Sequence, residues 1–250
     1  MHVYFITGAS KGIGHALCKE LLQENNLIVC VARTKSEDLI HLANERNSKL
    51  VFLEYDLANN SGLEGLMEEM IRHMSEQPQS LTLINNAGVI DPIGRTEDND
   101  SGAIIKSIAV NLTAPMILTS AFIKQLHSYQ IPKKVINISS GAGRNPYSGW
   151  SSYCAGKAGL DHYTRVVSEE QKSVPNGVKI ISIAPGIIDT GMQGRIRESD
   201  KEDFELIDRF VEYKKQGMLS SPENTAKKLI QVIHSDDFNE LVAVVDVRDF

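Results

Sequence analysis

Short apolar runs alternate along the chain with longer segments in which polar and apolar residues mix. The runs have the length of β-strands and lie at 2–7, 27–32, 50–55, 81–85, 134–139, 178–184 and 241–247. The mixed segments predict helices at 14–24, 37–46, 61–75, 101–129, 152–173 and 222–234. Such alternation is typical of βαβ units. The pattern therefore predicts an α/β fold, a seven-stranded parallel sheet flanked by helices.

One further segment, 194–219, lies between the sixth strand and the last helix and is rich in charge. Four large apolar residues are spaced along it, namely Phe204, Ile207, Phe210 and Tyr213. We interpret the segment as an amphipathic helical cover and a candidate lid. No linker-like stretch interrupts the chain, so residues 1–250 are expected to form a single doubly wound domain.

Composition narrows the range of ligands. The 250 residues carry a formal charge of −6, with acidic and basic residues interspersed. Without a basic stripe or a polybasic helix, we expect no nucleic-acid or membrane partner, but a small molecule. The first residues enter a strand directly, which leaves no room for a signal peptide and predicts a cytoplasmic protein. Cys18, Cys30 and Cys154 form no CxxC pair and no cluster with histidines, so neither disulfide nor metal site is predicted.

A glycine-rich loop follows the first predicted strand and opens the first predicted helix. Its residues are Gly8, Ser10, Lys11, Gly12, Ile13 and Gly14. Glycines at three of these positions let the backbone turn tightly and approach a pyrophosphate, which the amides at a helix N-terminus then bind. In this strand-to-helix context the loop predicts a dinucleotide site.

Basic residues near this loop indicate which dinucleotide is bound. Arg33 stands at the end of the second strand, where an acid would bind the ribose of NAD, and Lys11 precedes the second glycine. Both can reach a 2′-phosphate, which favours NADPH, although surface charges facing water remain an alternative. Residues at the ends of two further strands are candidates for binding the adenosine part of the dinucleotide. Asp56 is a candidate for accepting a hydrogen bond from the adenine, and Asn86, Ala87 and Gly88 are candidates for contacting the ribose, although each can also be an ordinary turn after a strand.

A second motif supplies a proton donor. Tyr153 and Lys157 are four residues apart in a predicted helix, hence on one face, and Ser140 ends a strand thirteen residues before the tyrosine. A cation about 4 Å from the phenol contributes about 4 kcal/mol. We therefore expect Lys157 to lower the pKa of Tyr153 toward about 7. A dinucleotide and a proton donor together indicate reduction of a carbonyl.

These motifs, in this order, resemble the short-chain dehydrogenase/reductase family from the first strand through Pro185 and Gly186. The resemblance implies a Rossmann-like fold and a catalytic tetrad of Asn111, Ser140, Tyr153 and Lys157. It gives Tyr153 the role of general acid, Ser140 that of orienting the carbonyl, Lys157 that of holding the ribose, and Asn111 that of positioning a relay water. Two residues after Pro185-Gly186, Ile188 and Thr190, match contacts to the nicotinamide. The family also implies dimers or tetramers through helices 101–129 and 152–173.

Within the family, segments 145–150 and 189–193 resemble the sepiapterin reductase branch, and segments 111–115 and 194–204 are still closer to bacterial benzil reductases. The resemblance implies an NADPH-dependent carbonyl reductase acting on an aromatic or conjugated diketone, with a pterin side-chain carbonyl as the alternative. Tyr147, Trp150 and Met192 are candidates for an apolar substrate wall, or for ordinary packing.

Asp246 matches the position of a pterin-anchoring carboxylate, or is a solvated strand end. A protein that binds NADPH as a sensor and catalyses nothing also remains open, because fold alone does not fix function.

Overall fold

A computed structural model describes residues 1–75 and 77–250 and contains one parallel sheet in the order β3-β2-β1-β4-β5-β6-β7. The strands are β1 His2–Thr7, β2 Asn26–Ala32, β3 Lys49–Glu54, β4 Ser80–Asn85, β5 Lys133–Ile138, β6 Lys179–Ala184 and β7 Val244–Asp246. The predicted seven-stranded parallel sheet is thus confirmed. Six strands fall within one residue of their predicted bounds, but β7 is shorter than 241–247, because a 3-10 turn over Asp236–Glu240 precedes it and another begins at Val247.

Nine α-helices flank the sheet within the described residues. They are α1 Gly12–Leu21, α2 Glu37–Glu45, α3 Leu63–Arg72, α4 Ser101–Ile108, α5 Ala114–Gln125, α6 Ser151–Lys172, α7 Gly191–Arg197, α8 Ile207–Lys215 and α9 Pro222–His234. The last helix has its predicted bounds, since Pro222 follows the capping Ser221, whose hydroxyl accepts the amide of Asn224 at 3.1 Å. The single helix predicted over 101–129 is instead α4 and α5 joined by the π-helical turn Ala109–Thr113.

Two apolar layers hold the helices on the sheet. On one face, Leu17 of α1 and Leu229 of α9 pack on alternate residues of β1 and β2. On the other face, Met67 of α3 and Phe122 of α5 pack on the remaining residues. Burial of each such side chain contributes about 1.5–3 kcal/mol. From β1 the chain adds strands first on one side, as β2 and β3, and then on the other side, beginning with β4. This change in the order of strands leaves a crevice at the carboxyl ends of β1 and β4.

A third apolar cluster lies beyond the sheet and joins α7 and α8 to the start of α6. Its centre is Trp150, whose ring stacks on Phe204 with centroids 4.6 Å apart and an angle of 9° between the planes. Phe210 of α8 completes the cluster. The segment 194–219 contains the end of α7 and all of α8, and its residues Phe204 and Phe210 are buried in this cluster.

By length and composition alone, the helical stretch Ser101–Gln125 is apolar enough to cross a membrane, and 44% of its most apolar window is buried in the protein. The buried side belongs to the core: Phe122 meets the ring of Phe5 edge to face at 6.1 Å. The apolar character of this stretch is thus explained in part by its packing on β1.

Candidate active site

A cavity of about 800 Å³ opens at the carboxyl ends of the strands and extends under α7 and α8. Its wall contains nearly all the residues that the sequence singles out: Gly8, Ser10, Lys11, Gly12, Ile13, Arg33, Asp56, Asn86, Ala87, Gly88, Ser140, Tyr147, Trp150, Tyr153, Lys157, Pro185, Gly186, Ile188, Thr190, Met192 and Asp246. Gly14 and Asn111 lie behind the wall. Lys106, Gln193, Arg209 and Arg248 line the cavity without having been predicted.

The glycine loop has the geometry that close approach to a phosphate requires. Gly8 and Gly12 have φ values of +70° and +59°, which only glycine adopts without strain. A Cβ on Gly14 would lie 2.3 Å from the carbonyl oxygen of Gly8, so this glycine serves packing beneath the loop. The side chain of Asn86 donates to the carbonyls of Thr7 and Gly8 at 3.0 and 3.2 Å and fixes the loop to β4. The cradle fits a dinucleotide pyrophosphate at the N-terminus of α1.

The basic residues of this end remain available to a ligand. Arg33 directly follows β2 and is exposed, and among the described residues neither Arg33 nor Lys11 forms an ion pair with a carboxylate. The carboxylate of Asp56, by contrast, accepts the amide of Ala58 at 3.0 Å and so stabilises its own turn. The cavity wall next to β2 therefore carries uncompensated positive charge, which suits an additional phosphate group.

Tyr153 and Ser140 both line the cavity. Tyr153 lies in the first turn of α6, and Ser140 directly follows β5, close enough to the phenol to influence its pKa. The hydroxyl of Ser140 also accepts the amide of Ala142 at 3.2 Å, which fixes its direction. Two hydroxyls held side by side can contact one carbonyl oxygen together.

Lys157 lies one turn further along α6 and is 4% exposed. Its Nζ donates to the carbonyl of Ile138 at 2.8 Å and lies 5.8 Å from the centre of the Tyr153 ring. The ammonium is thus directed at the end of β5 beside the tyrosine, with further donor hydrogens left for a bound molecule.

The predicted lowering of the tyrosine pKa is wrong for the protein alone. Burial raises the pKa of Tyr153 to about 12, although the nearby hydroxyl of Ser140 opposes the rise. Burial also lowers the pKa of Lys157 to about 8, and the charge of Asp161 opposes that change. The expectation failed because it counted the attraction of the lysine but not the loss of solvation that both groups undergo in the same wall.

Asn111 sits in the π-helical turn and is fully buried. Its side chain accepts the amide of Val89 at 3.0 Å and donates to the carbonyl of Val89 at 2.8 Å. These bonds attach the loop after β4 to the helix, and a Cβ on Gly88 would lie 3.1 Å from the Asn111 side chain. The observed role is thus to position the loop that lines the cavity; the relay water implied by the resemblance stays a prediction. Turns of this kind are frequent at functional sites.

The end of the cavity away from the glycine loop has an aromatic wall. The ring centre of Trp150 lies 5.2 Å from that of Tyr147 and 6.0 Å from that of Tyr153. Since Trp150 also stacks on Phe204, it lines the cavity and belongs to the third apolar cluster; its packing is thus observed, and its contact with a substrate stays a prediction. Met192 of α7 packs against the same cluster.

Asp246 is neither a solvated strand end nor an open carboxylate. The guanidinium of Arg248 holds it in a fork, with Nε to Oδ1 at 2.8 Å and Nη2 to Oδ2 at 2.7 Å. Arg144 approaches the second oxygen at 3.8 Å. The hydrogen bonds from Arg248 lower the pKa of Asp246. Sequence reasoning missed this pair, and the available signal was an acid and an arginine two residues apart after the last strand.

Asp161 is a second residue that sequence reasoning missed. It lies one turn beyond Lys157 on α6, is 1% exposed, and accepts a hydrogen bond from Ser182 at 2.5 Å. Arg144 forms an ion pair with it at 3.5 Å. The spacing of four from Lys157 was the signal for this residue, because it places the acid on the same helical face.

The described residues contain no group of three or more His, Cys, Asp or Glu side chains that could hold a metal ion. Cys18 and Cys30 lie with their Sγ atoms 3.2 Å apart as buried free thiols between α1 and β2.

Fold and cavity define a class of protein, a nucleotide-binding oxidoreductase with a tyrosine and a serine at its centre. The model of the short chain dehydrogenase family matches residues 2–201, and the chain belongs to that family. It is 41% identical over 239 residues to a benzil reductase ((S)-benzoin forming) of Bacillus cereus, covering 95% of this chain and 96% of the relative. It is 34% identical over 250 residues to sepiapterin reductase of Mus musculus, covering 94% and 93%.

Solved structures show the same fold. A short chain dehydrogenase/reductase of Saccharomyces cerevisiae superposes with a TM-score of 0.85 at 25% identity, covering all of this chain and 97% of that one. The predicted resemblance to the family and to its benzil and sepiapterin reductase branches is thereby confirmed. The protein is a carbonyl reductase, an oxidoreductase acting on CH–OH and C=O groups, and its family uses nicotinamide cofactors.

Proposed function

We propose that the protein is an NADPH-dependent reductase that converts one carbonyl of an aromatic or conjugated diketone to an alcohol, as benzil is converted to (S)-benzoin. The observation that carries the proposal is that Tyr153 and Ser140 line one cavity together, between the glycine loop and an aromatic face. Nicotinamide, when bound, supplies the hydride.

The protein's own residues supply orientation and a proton. Ser140, held by Ala142, donates to the carbonyl oxygen and orients it. Tyr153, like any tyrosine whose pKa is not lowered, is protonated at neutral pH, and it donates its hydroxyl proton to the same oxygen as the carbon is reduced. Lys157 holds the ribose with its remaining donors, while Asn111 keeps the adjoining loop in place.

The cofactor is NADPH in this proposal, because Arg33 and Lys11 lie on the wall without carboxylate partners among the described residues. Each charge-assisted hydrogen bond to the 2′-phosphate contributes about 1.5–3 kcal/mol. Together they predict a preference for NADPH over NADH of at least about a hundredfold. The remaining predicted contacts belong to this end: Asp56 with the adenine, the loop 86–88 with the ribose, and Ile188 and Thr190 with the nicotinamide.

The substrate class is supported by the aromatic wall and by the identity to the benzil reductase of Bacillus cereus. Tyr147, Trp150 and Met192 offer a flat apolar surface to an aryl ring. A pterin side-chain carbonyl is the second candidate, favoured by Asp246 in the cavity wall and by the identity to sepiapterin reductase. The fork of Arg248 on Asp246 favours the diketone, because it engages both carboxylate oxygens already.

The segment 194–219 acts as the substrate lid in a single domain of residues 1–250. The end of α7 and the helix α8 lie in this segment and contribute Ile196, Arg209 and Phe210 to the cavity wall. Because the lid residues lie near the aromatic wall and away from the glycine loop, lid movement affects substrate more than cofactor.

We propose a homodimer, or a tetramer, formed through α4, α5 and α6. Each of these helices presents an exposed apolar residue: Ile105, Met116 and Val166 are 69%, 37% and 45% exposed. Apolar groups at such positions favour burial against a second copy. A cytoplasmic location suits the three free thiols and the cofactor. Sedimentation of the protein and of Ile105→Lys tests the assembly; a monomer in both contradicts it.

The test of function follows NADPH oxidation by the purified protein with benzil and, separately, with sepiapterin. A larger kcat/KM with benzil supports the diketone proposal, and a larger value with sepiapterin replaces it with the second candidate. NADPH binding without oxidation by either carbonyl contradicts both and supports the sensor alternative.

A further inference from the structure

At the proposed substrate end of the cavity, the guanidinium of Arg248 binds the carboxylate of Asp246. Asp246 and Arg248 both line this cavity. The Asp246 side chain is 11% exposed and that of Arg248 is 72% exposed, so the arginine covers the acid from the solvent side. The fork uses two parallel N–H donors at 2.8 and 2.7 Å, the geometry with which arginine binds carboxylates most strongly.

The carboxylate has few other partners. Arg144 stands 3.8 Å away and directs its Nη2 to the carbonyl of Val245 at 2.6 Å instead. The backbone amide of Arg248 reaches Oδ1 at 3.0 Å. If the Arg248 side chain were absent, Asp246 would thus present a charged, largely buried acceptor pair to the cavity, and buried carboxylates strongly favour a paired donor.

We propose that Arg248 is a specificity-determining residue that fills the Asp246 subsite as an internal ligand and so excludes substrates bearing two adjacent N–H donors. The chemical class excluded is that of 2-amino-4-oxopyrimidine rings, whose amino and ring N–H groups form the same fork as a guanidinium. Diketones carry no such donors and do not compete with Arg248. The inference rests on the proposed function, because it treats this end of the cavity as the substrate end.

Isocytosine, a single 2-amino-4-oxopyrimidine ring, is a probe that needs no turnover. Its affinity is measured by calorimetry for the unmodified protein, for Arg248→Met, which keeps side-chain bulk without donors, and for Asp246→Asn/Arg248→Met. Uracil, which lacks the amino group, is the control ligand. We expect Arg248→Met to bind isocytosine at least about tenfold more tightly, no gain for uracil, and loss of the gain in the double variant.

Equal affinity of the unmodified protein and Arg248→Met for isocytosine would overturn the inference, as would a gain that persists in the double variant. Thermal unfolding verifies that all three proteins are folded. With Arg248→Met, the ratio of kcat/KM for sepiapterin to that for benzil should also rise. Failure of the proposed function has a different sign, namely that the unmodified protein does not reduce benzil. The isocytosine measurement needs no turnover and therefore still tests whether Arg248 blocks the carboxylate of Asp246.

Discussion

At the cofactor end, the cavity wall consists of strand ends and a glycine loop, whereas at the substrate end it consists of helices α7 and α8 and aromatic rings. The cofactor end is fixed by backbone: Gly8 and Gly12 adopt positive φ, and Asn86 attaches their loop to β4. The substrate end is fixed by side chains that pack on Trp150. Backbone geometry suits a ligand that is constant across a family, and side-chain packing lets the same fold accept different carbonyls.

Tyr153 lies between the two ends, and its removal has the largest expected effect. Tyr153→Phe should lower kcat for benzil by about 10²–10⁴-fold, since general-acid catalysis contributes about that much. NADPH affinity, measured by fluorescence titration, should be retained. Tyr147→Phe is the matched control, because Tyr147 lines the same cavity and its ring lies 5.2 Å from that of Trp150. Equal losses in both variants would refute the assignment of the proton to Tyr153.

A change at the cofactor end should affect only cofactor choice. Arg33→Ala should reduce the ratio of kcat/KM with NADPH to that with NADH by at least about tenfold, because one charge-assisted contact to the 2′-phosphate is lost. Lys35→Ala is the control, since Lys35 pairs with Glu54 at 3.6 Å and does not line the cavity. A ratio that stays the same in Arg33→Ala would mean that Arg33 faces solvent in the complex.

At the substrate end, a packing change should affect only substrate. Phe204→Leu removes the ring stacked on Trp150 and should raise KM for benzil about two- to tenfold, the equivalent of one aromatic pair, without altering NADPH affinity. Phe122→Leu is the control: this ring is equally buried, but it lies beneath the sheet against Phe5. It should lower the unfolding temperature and leave KM unchanged. If both variants raised KM alike, the lid would have no separate role.

The smallest expected effect is a shift in pH dependence. Lys157 has its pKa lowered to about 8, so kcat/KM should fall as pH rises through that value, whereas Tyr153, with a pKa of about 12, stays protonated. Asp161 raises the pKa of Lys157. Asp161→Asn should therefore move the fall to lower pH and reduce kcat/KM about two- to fivefold near pH 8, with little change near pH 6.

Ser182→Ala is the control for this variant, because it removes a hydrogen bond to Asp161 at 2.5 Å but not the charge. In Ser182→Ala, the pH at which kcat/KM falls should stay the same. An equal shift of that pH in Ser182→Ala and Asp161→Asn would show that Asp161 acts on Lys157 through structure and not through charge.

The contrast between the two ends also explains what the sequence allowed to be predicted. The sheet was predicted correctly, because the spacing of apolar runs determines it. The glycine loop, Tyr153 and Ser140 line one cavity because each directly follows a strand or begins a helix, which the spacing also indicates. The raised pKa of Tyr153 could not be predicted from a spacing of four, since burial depends on the whole wall. The contact of Arg144 with Asp246 was missed for a similar reason, because Arg144 follows β5 and Asp246 ends β7, and these two strands are distant in sequence.

The most direct test of the central claim follows the hydride itself. NADPH carrying deuterium at both C4 positions of its nicotinamide is incubated with the protein and benzil, and the benzoin is examined by mass spectrometry. The proposal predicts one deuterium per benzoin molecule, on the new carbinol carbon, and loss of product in Tyr153→Phe. Benzoin without deuterium, or consumption of NADPH without benzoin, would contradict it.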